Sequence, residues 1–344
     1  MNNSVLLAAC VAGLLVGGAP ALAAPYRVVD KLLIGGDGKW DYPSIDSAAQ
    51  RLYLSRATHV VIVDIQTGRI AGDIPDTPGV HGIAVAPELG RGYISVGKAD
   101  EVKIFDLKTL AVSATVQTGS KPDSIVYEPT TKQVFVFNGH SSNVTVIDAT
   151  SNKVVATIAL QGAPEAARVD GAGKVYVNLE NTNELVSLDA QRQKIYGRWP
   201  LPGCDGPTGL AVDAAHHRSF SACANKKMSI LDSDTGRVVA TLPIGAGVDG
   251  AEFDADSQNA FSANGDGTLT VLHEEDPEHF TIAQTLATAR GARTVALDAI
   301  RHKLYLPTAH FEETSPAAAD EPKGPIVPGS FFVLVIDRDA HQQP

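Results

Sequence analysis

Seven positions spread along the chain carry side chains able to ligate a cation, move a proton or hold an anion: Asp41, His81, Asp123, Glu165, Thr208, Asp249 and Arg293. Each stands just ahead of a largely apolar run. A second set closes later apolar runs: Arg56, Lys98, His140, Asn181, Asn225, Asp266 and His310, with Glu180 beside Asn181. Neutral imidazole and carboxylate oxygen suit divalent ions, which makes His81, His140 and His310 candidate metal ligands. His81 and Glu165 have the chemistry of general bases, and the Arg293 guanidinium suits a substrate carboxylate or phosphate. These three are the candidate catalytic residues. Asp41, Asp123, Asp249 and His310 join them as candidate ligand-binding residues. Asp and Thr at such positions also serve simply to bond the backbone of a preceding turn. No G-x-S-x-G is present, so a serine hydrolase has little support.

The elements that must position these residues repeat. The stretch 122–158 reads as four short strands, DSIVYE, QVFVFN, NVTVID and KVVATI, separated by PTTK, GHSSN and ATSN. The strands are rich in Val, Ile, Phe and Tyr, and the gaps hold residues that favour turns. One small sheet cannot bury both faces alone. An Asp closes the third strand at Asp64, Asp106, Asp148, Asp189 and Asp232, a period of about 42 residues that fits a four-stranded propeller blade. Seven first-strand heads align: WDYPSID, VHGIAVA, PDSIVYE, PEAARVD, PTGLAVD, VDGAEFD and ARTVALD. The expected fold is an all-β, seven-bladed propeller of four-stranded antiparallel blades. The segment YRVVDKLLI, at 26–34, matches the fourth strands of other blades and is expected to pair into the last blade and close the ring. In that architecture both polar sets open on one funnel.

Composition narrows the function. With 44% hydrophobic and 19% charged residues the chain suits a globular β protein, and its net charge of -11 argues against a nucleic-acid surface. Residues 1–24 read as a secretory signal ending at Ala-Leu-Ala, which leaves 25–344 as the propeller and implies a periplasmic or secreted protein. A lipoprotein cleavage site before Cys10 fits less well, because the apolar core ahead of it is short. No later stretch spans a bilayer. Cys204 and Cys223 meet at one rim of blade five: a disulfide, free thiols or a pair of soft metal ligands are all open. No C-x-x-C-H is present, so no covalent haem is expected. The acidic segment EEDPEHF at 274–280 reads as solvated surface. The long insertion at 310–330, leaving from beside His310, is a candidate lid or docking element for a protein partner.

Stretches such as KVYVNLENTNELVSLDA and SFSACANKKMSILDSDTGRVVATLPIG resemble the YVTN-type repeats of YncE-like secreted bacterial propellers. The signature itself is altered, to Tyr176-Val177-Asn178-Leu179. The resemblance implies the propeller fold over nearly the whole mature chain and leaves function open, because its wider relatives include surface proteins, a DNA-binding protein, lactonases and redox-cofactor propellers. The lactonase pattern of Glu, Asn and Asp around an ion would fall on Glu165, Asn225 and Asp249 by residue type. The expectation is a monomeric propeller that binds a small ligand or divalent metal ion in its funnel. Metal-assisted hydrolysis in the same funnel and an envelope interaction scaffold are the alternatives.

Overall fold

The structure, a computed structural model, describes residues 24–312 and 324–338. The expected signal segment falls outside the described residues, apart from Ala24. Seven four-stranded antiparallel sheets form the molecule. Their innermost strands are Ser44–Asp46, Val80–Ala86, Pro122–Glu128, Pro164–Val169, Pro207–Asp213, Val248–Asp254 and Ala296–Asp298, which define blades one to seven. In the seventh sheet, Tyr26–Leu33 pairs antiparallel with Phe332–Arg338 and supplies the outermost strand, as the N-terminal pattern predicts. Tyr26 reinforces this closure: its backbone exchanges two hydrogen bonds with the Gln284 side chain of blade six, each 2.8 Å. Among the described residues no helix is long and apolar enough to cross a membrane.

The core lies between blades. Phe135, Phe137, Val144 and Val146 of blade three pack against Val175, Val177, Val186 and Leu188 of blade four, all fully buried. A single blade could not bury these faces, which is why the repeat is obligatory. The periodic Asp has a local task. Asp64 Oδ1 accepts from the Thr67 nitrogen at 2.8 Å and from its hydroxyl at 3.0 Å, and Asp106, Asp148 and Asp232 repeat the arrangement with Thr109, Ser151 and Thr235. These bonds hold each carboxyl below its usual range and fix the turn into the fourth strand.

The third residue of most heads is small (Gly82, Ser124, Ala166, Gly209, Gly250, Thr294) because neighbouring innermost strands approach closely there. A β-carbon on Gly250 would lie 2.9 Å from both the Thr294 Cα and the Val295 nitrogen, atoms of backbone that cannot swing aside. Gly250→Ala is therefore expected to lower stability by about 2 kcal/mol. An unchanged urea midpoint would contradict this close approach.

Candidate functional site

The innermost strands run parallel, so their first residues gather at one end of the central channel. That end is acidic. His81 Nδ1–H donates to Asp41 Oδ2 at 2.6 Å, and the same nitrogen lies 3.5 Å from Asp123 Oδ1. Asp41, His81 and Asp123 place three ligand atoms within 4.8 Å of one another. Lys121 Nζ lies 3.8 Å from the other oxygen of Asp123. Across the mouth, Tyr42 donates its phenolic hydrogen to Glu165 Oε2 at 3.1 Å, and Arg293 Nε pairs with Asp249 Oδ2 at 2.9 Å.

Crowding carboxylates in a half-buried mouth disfavours their charge. Burial, then the neighbouring Asp41 charge, pushes the Asp123 carboxyl up to about 6, against the pull of His81 and Lys121. Burial takes Asp249 up to about 7 even though Arg293 pulls it down. Glu165 reaches about 9, through burial first and then the charges of Asp123, Asp249 and Glu180. Burial and the same carboxylates hold the Tyr42 phenol well above its usual range. For His81, burial opposes the imidazolium, but the bond to Asp41 and the charges of Asp123 and Asp41 outweigh it and raise its pKa. The mouth therefore holds protons that the same side chains would release in water.

Below it the channel widens into a cavity of about 370 Å³, within the range of small-ligand pockets. Tyr42 and Asp249 line its upper part and Arg168 and Glu252 its wall, with Arg168 Nη2 3.0 Å from Glu252 Oε1. A second pocket of about 230 Å³ opens between Lys39, Trp40, Arg293, Phe311 and Ile326. Phe311 and Ile326 bridge as the base of the long insertion, whose residues 313–323, and with them most of the expected lid or docking element, lie outside the described residues.

The innermost polar set is thus largely brought together, while most of the second set disperses and only Glu180 acts on the charges of Asp123 and Glu165. Thr208 bonds the Val248 carbonyl through its hydroxyl at 2.9 Å, the structural role open to such residues. The three-histidine metal set does not assemble. His140 is exposed in the turn after the second strand of blade three, with its backbone nitrogen bonded to the Ser120 carbonyl. His310 is exposed on the outer part of blade seven, its Nε2 3.4 Å from Lys31 Nζ and its ring 5.1 Å from that of Phe332. His140 and His310 follow second strands, which lie one strand further from the axis than first strands, and neither joins the group around His81, although Gly97, after the second strand of blade two, packs beside the His81 ring. Carboxylates of the adjacent innermost strands take their place.

Arg56 is a structural residue. It is 2% exposed, lies over the Phe331 ring at 3.6 Å, and donates to the carbonyls of Gly35 and Asp37 at 3.2 and 2.9 Å, tying the link after the closing strand to blade seven. Asn181, Asn225 and Asp266 likewise hold loop backbone. Asn225 Nδ2 donates to the Gly203 carbonyl at 3.0 Å, which ties Asn225 to the connection between blades four and five. Two channel features escaped sequence reasoning. Tyr42 follows Asp41 directly and shares its strand start, which was a usable signal. Arg168 and Glu252 lie inside runs that read as strand, where nothing but the fold turns them toward the axis. Cys204 and Cys223 are joined, with Cα atoms 5.5 Å apart.

Comparison with known proteins agrees with this architecture. The chain is 27% identical over 118 residues to the uncharacterized protein YncE of Salmonella typhi and of Salmonella typhimurium, a match covering 33% of this chain and 33% of each relative. Among solved structures, the RRP9 WD40 repeats superimpose with a TM-score of 0.76 at 10% identity, covering 92% of this chain and 99% of that one. Kuenenia stuttgartiensis hydrazine synthase gives 0.68 at 14% identity, covering 77% and 91%. At such identities the likeness concerns the fold alone. A family described as a domain of unknown function, DUF5074, matches residues 48–242, more than half of the sequence, and the chain belongs to that family.

Proposed function

We propose that this propeller is a binding protein whose funnel holds a divalent cation on Asp41, His81 and Asp123, and through it a small polar ligand above the channel. The convergence of Asp41 Oδ2, His81 Nδ1 and Asp123 Oδ1 carries this reading. One imidazole nitrogen and two carboxylates are a donor set that zinc-like ions accept, with positions left for water or ligand. The cation would replace a shared proton, so loading releases protons and strengthens as pH rises from 6 to 8. Arg293, Glu165 and Tyr42 around the same mouth are placed to hydrogen-bond the ligand, and the cavity beneath gives it room. A periplasmic or secreted setting, read from the N-terminal segment, belongs to the same proposal.

Metal-stripped protein titrated with Zn²⁺ is expected to bind at the funnel, and His81→Ala or Asp123→Asn to weaken that binding at least tenfold. Binding unchanged by both substitutions would overturn the reading. Metal-assisted hydrolysis of an ester or lactone is the second reading, favoured by the proton retained on Glu165 beside the ion-binding group. Turnover by the Zn²⁺-loaded protein that vanishes in His81→Ala would support it, and no turnover across a panel of lactones and esters would remove it.

A further inference from the structure

The acidic segment 274–280 is solvated at Glu275, Asp276, Glu278 and His279, as its composition suggests, but its two ends are buried. Glu274 is 3% exposed and Phe280 is 9% exposed, because the third strand of blade six extends through Thr268–Asp276 and pairs with His279–Ala287. Glu274 meets two residues of blade five on the face opposite the funnel. Asp213 ends the innermost strand there and is 1% exposed, and His216 lies in the turn that follows. His216 Nδ1 is 2.8 Å from Glu274 Oε1 and 2.8 Å from Asp213 Oδ2.

One N–H cannot serve both oxygens. It donates to Glu274 Oε1, and Asp213 Oδ2 and Glu274 Oε2 are left buried without any hydrogen bond. Arg218, the nearest cation, directs its own groups to the Pro277, His216 and His217 carbonyls and to Glu278 and Asp232. Two buried carboxylates therefore face one proton, an arrangement costly to leave uncompensated. Burial, with the Asp213 charge beside it, pushes the Glu274 carboxyl up to about 7. At the junction of blades six and seven His302 pairs Nδ1 with Asp254 Oδ1 at 3.0 Å and Nε2 with the exposed Asp256 at 3.3 Å, so only one of its two carboxylates is buried, although Asp254 Oδ2 also lacks a hydrogen bond.

We propose that Asp213, His216 and Glu274 form a second divalent-cation site, of the zinc class, that clasps blades five and six on the face opposite the funnel. The three ligand atoms already lie within 4.8 Å of one another. A cation supplies the charge that the two carboxylates lack and gives Asp213 Oδ2 a partner. The His216 side chain is 38% exposed, so the ion reaches the site from solvent without the blades parting. Because its ligands come from two blades, the bound ion stabilises their contact, a role independent of any ligand in the funnel.

The test uses the full chain stripped with a chelator and titrated with Zn²⁺ by calorimetry, alongside thermal melting with and without the ion. A funnel-disabled His81→Ala variant is expected to keep one Zn²⁺ equivalent and a metal-dependent rise in Tm. Adding Glu274→Gln or His216→Ala to it should weaken that equivalent at least tenfold and abolish the metal-dependent rise. The Tm of each variant in chelator separates loss of the ion pair from loss of the ion. Glu274→Gln in the otherwise unaltered chain should leave the funnel equivalent in place, so failure at one site is told from failure at the other. No Zn²⁺ on His81→Ala, or binding there unaffected by both substitutions, would overturn the proposal.

Discussion

Glu165→Gln is expected to make the protein more stable, by about 2–3 kcal/mol at pH 8, where most single substitutions do harm. The carboxyl is pushed from an ordinary glutamate value to about 9 by burial and by Asp123, Asp249 and Glu180. Between about pH 4.5 and 9 the folded chain therefore keeps a proton there that the unfolded chain has released. The unfolded state binds fewer protons, so this group's contribution to stability falls as pH rises through that window. Gln presents the same shape without the titration, and its carbonyl can still accept from Tyr42, which bonds Glu165 Oε2 at 3.1 Å. The full shift would give more than 3 kcal/mol, but the side chain is only partly shielded from water, which reduces it. Asp249 and Asp123, raised to about 7 and about 6, act in the same direction and remain in the variant. Urea denaturation from pH 4 to 8 checks this: the two proteins should coincide near pH 4 and diverge above it. Parallel curves would mean that the funnel does not hold Glu165 protonated.

Removing the disulfide should have the opposite sign and a similar size. Cys204 lies in the connection from blade four to blade five, and Cys223 ends the second strand of blade five, 19 residues later. Both are buried, at 2% and 0% exposure, among Leu201, Leu210, Leu185 and Tyr176. The bridge closes a loop whose freedom in the unfolded chain is worth about 3 kcal/mol. The Cys204→Ala/Cys223→Ala double variant is expected to lose about that amount in denaturant unfolding. A loss below about 1 kcal/mol would show that packing around the pair, rather than the link itself, anchors the connection.

Local chemistry carried much of the architecture. The spacing of Asp64, Asp106, Asp148, Asp189 and Asp232 reported the blade, because each begins the same turn and a turn needs only neighbours in the chain. The pattern of residues 26–34 reported the ring closure that Tyr26–Leu33 makes with Phe332–Arg338. The innermost set Asp41, His81, Asp123, Glu165, Asp249 and Arg293 was equally legible, since first strands share one direction and one end of the channel.

What lay beyond the sequence was distance from the axis and the partner each side chain finds there. His140 and His310 have the residue type of ligands, but their blades carry them outward, and the Asp41 and Asp123 carboxylates stand beside His81 instead. Arg56 reads as a funnel cation and is a buried fastener on Phe331, because the closing strand brings residues 35–38 over it. Glu274 reads as solvated and is buried against Asp213 and His216, residues that lie some sixty positions earlier and on another blade. Periodicity is a property of the chain and survives in the sequence. Burial and the meeting of charges are properties of the contacts between blades, and those exist only once the ring has closed.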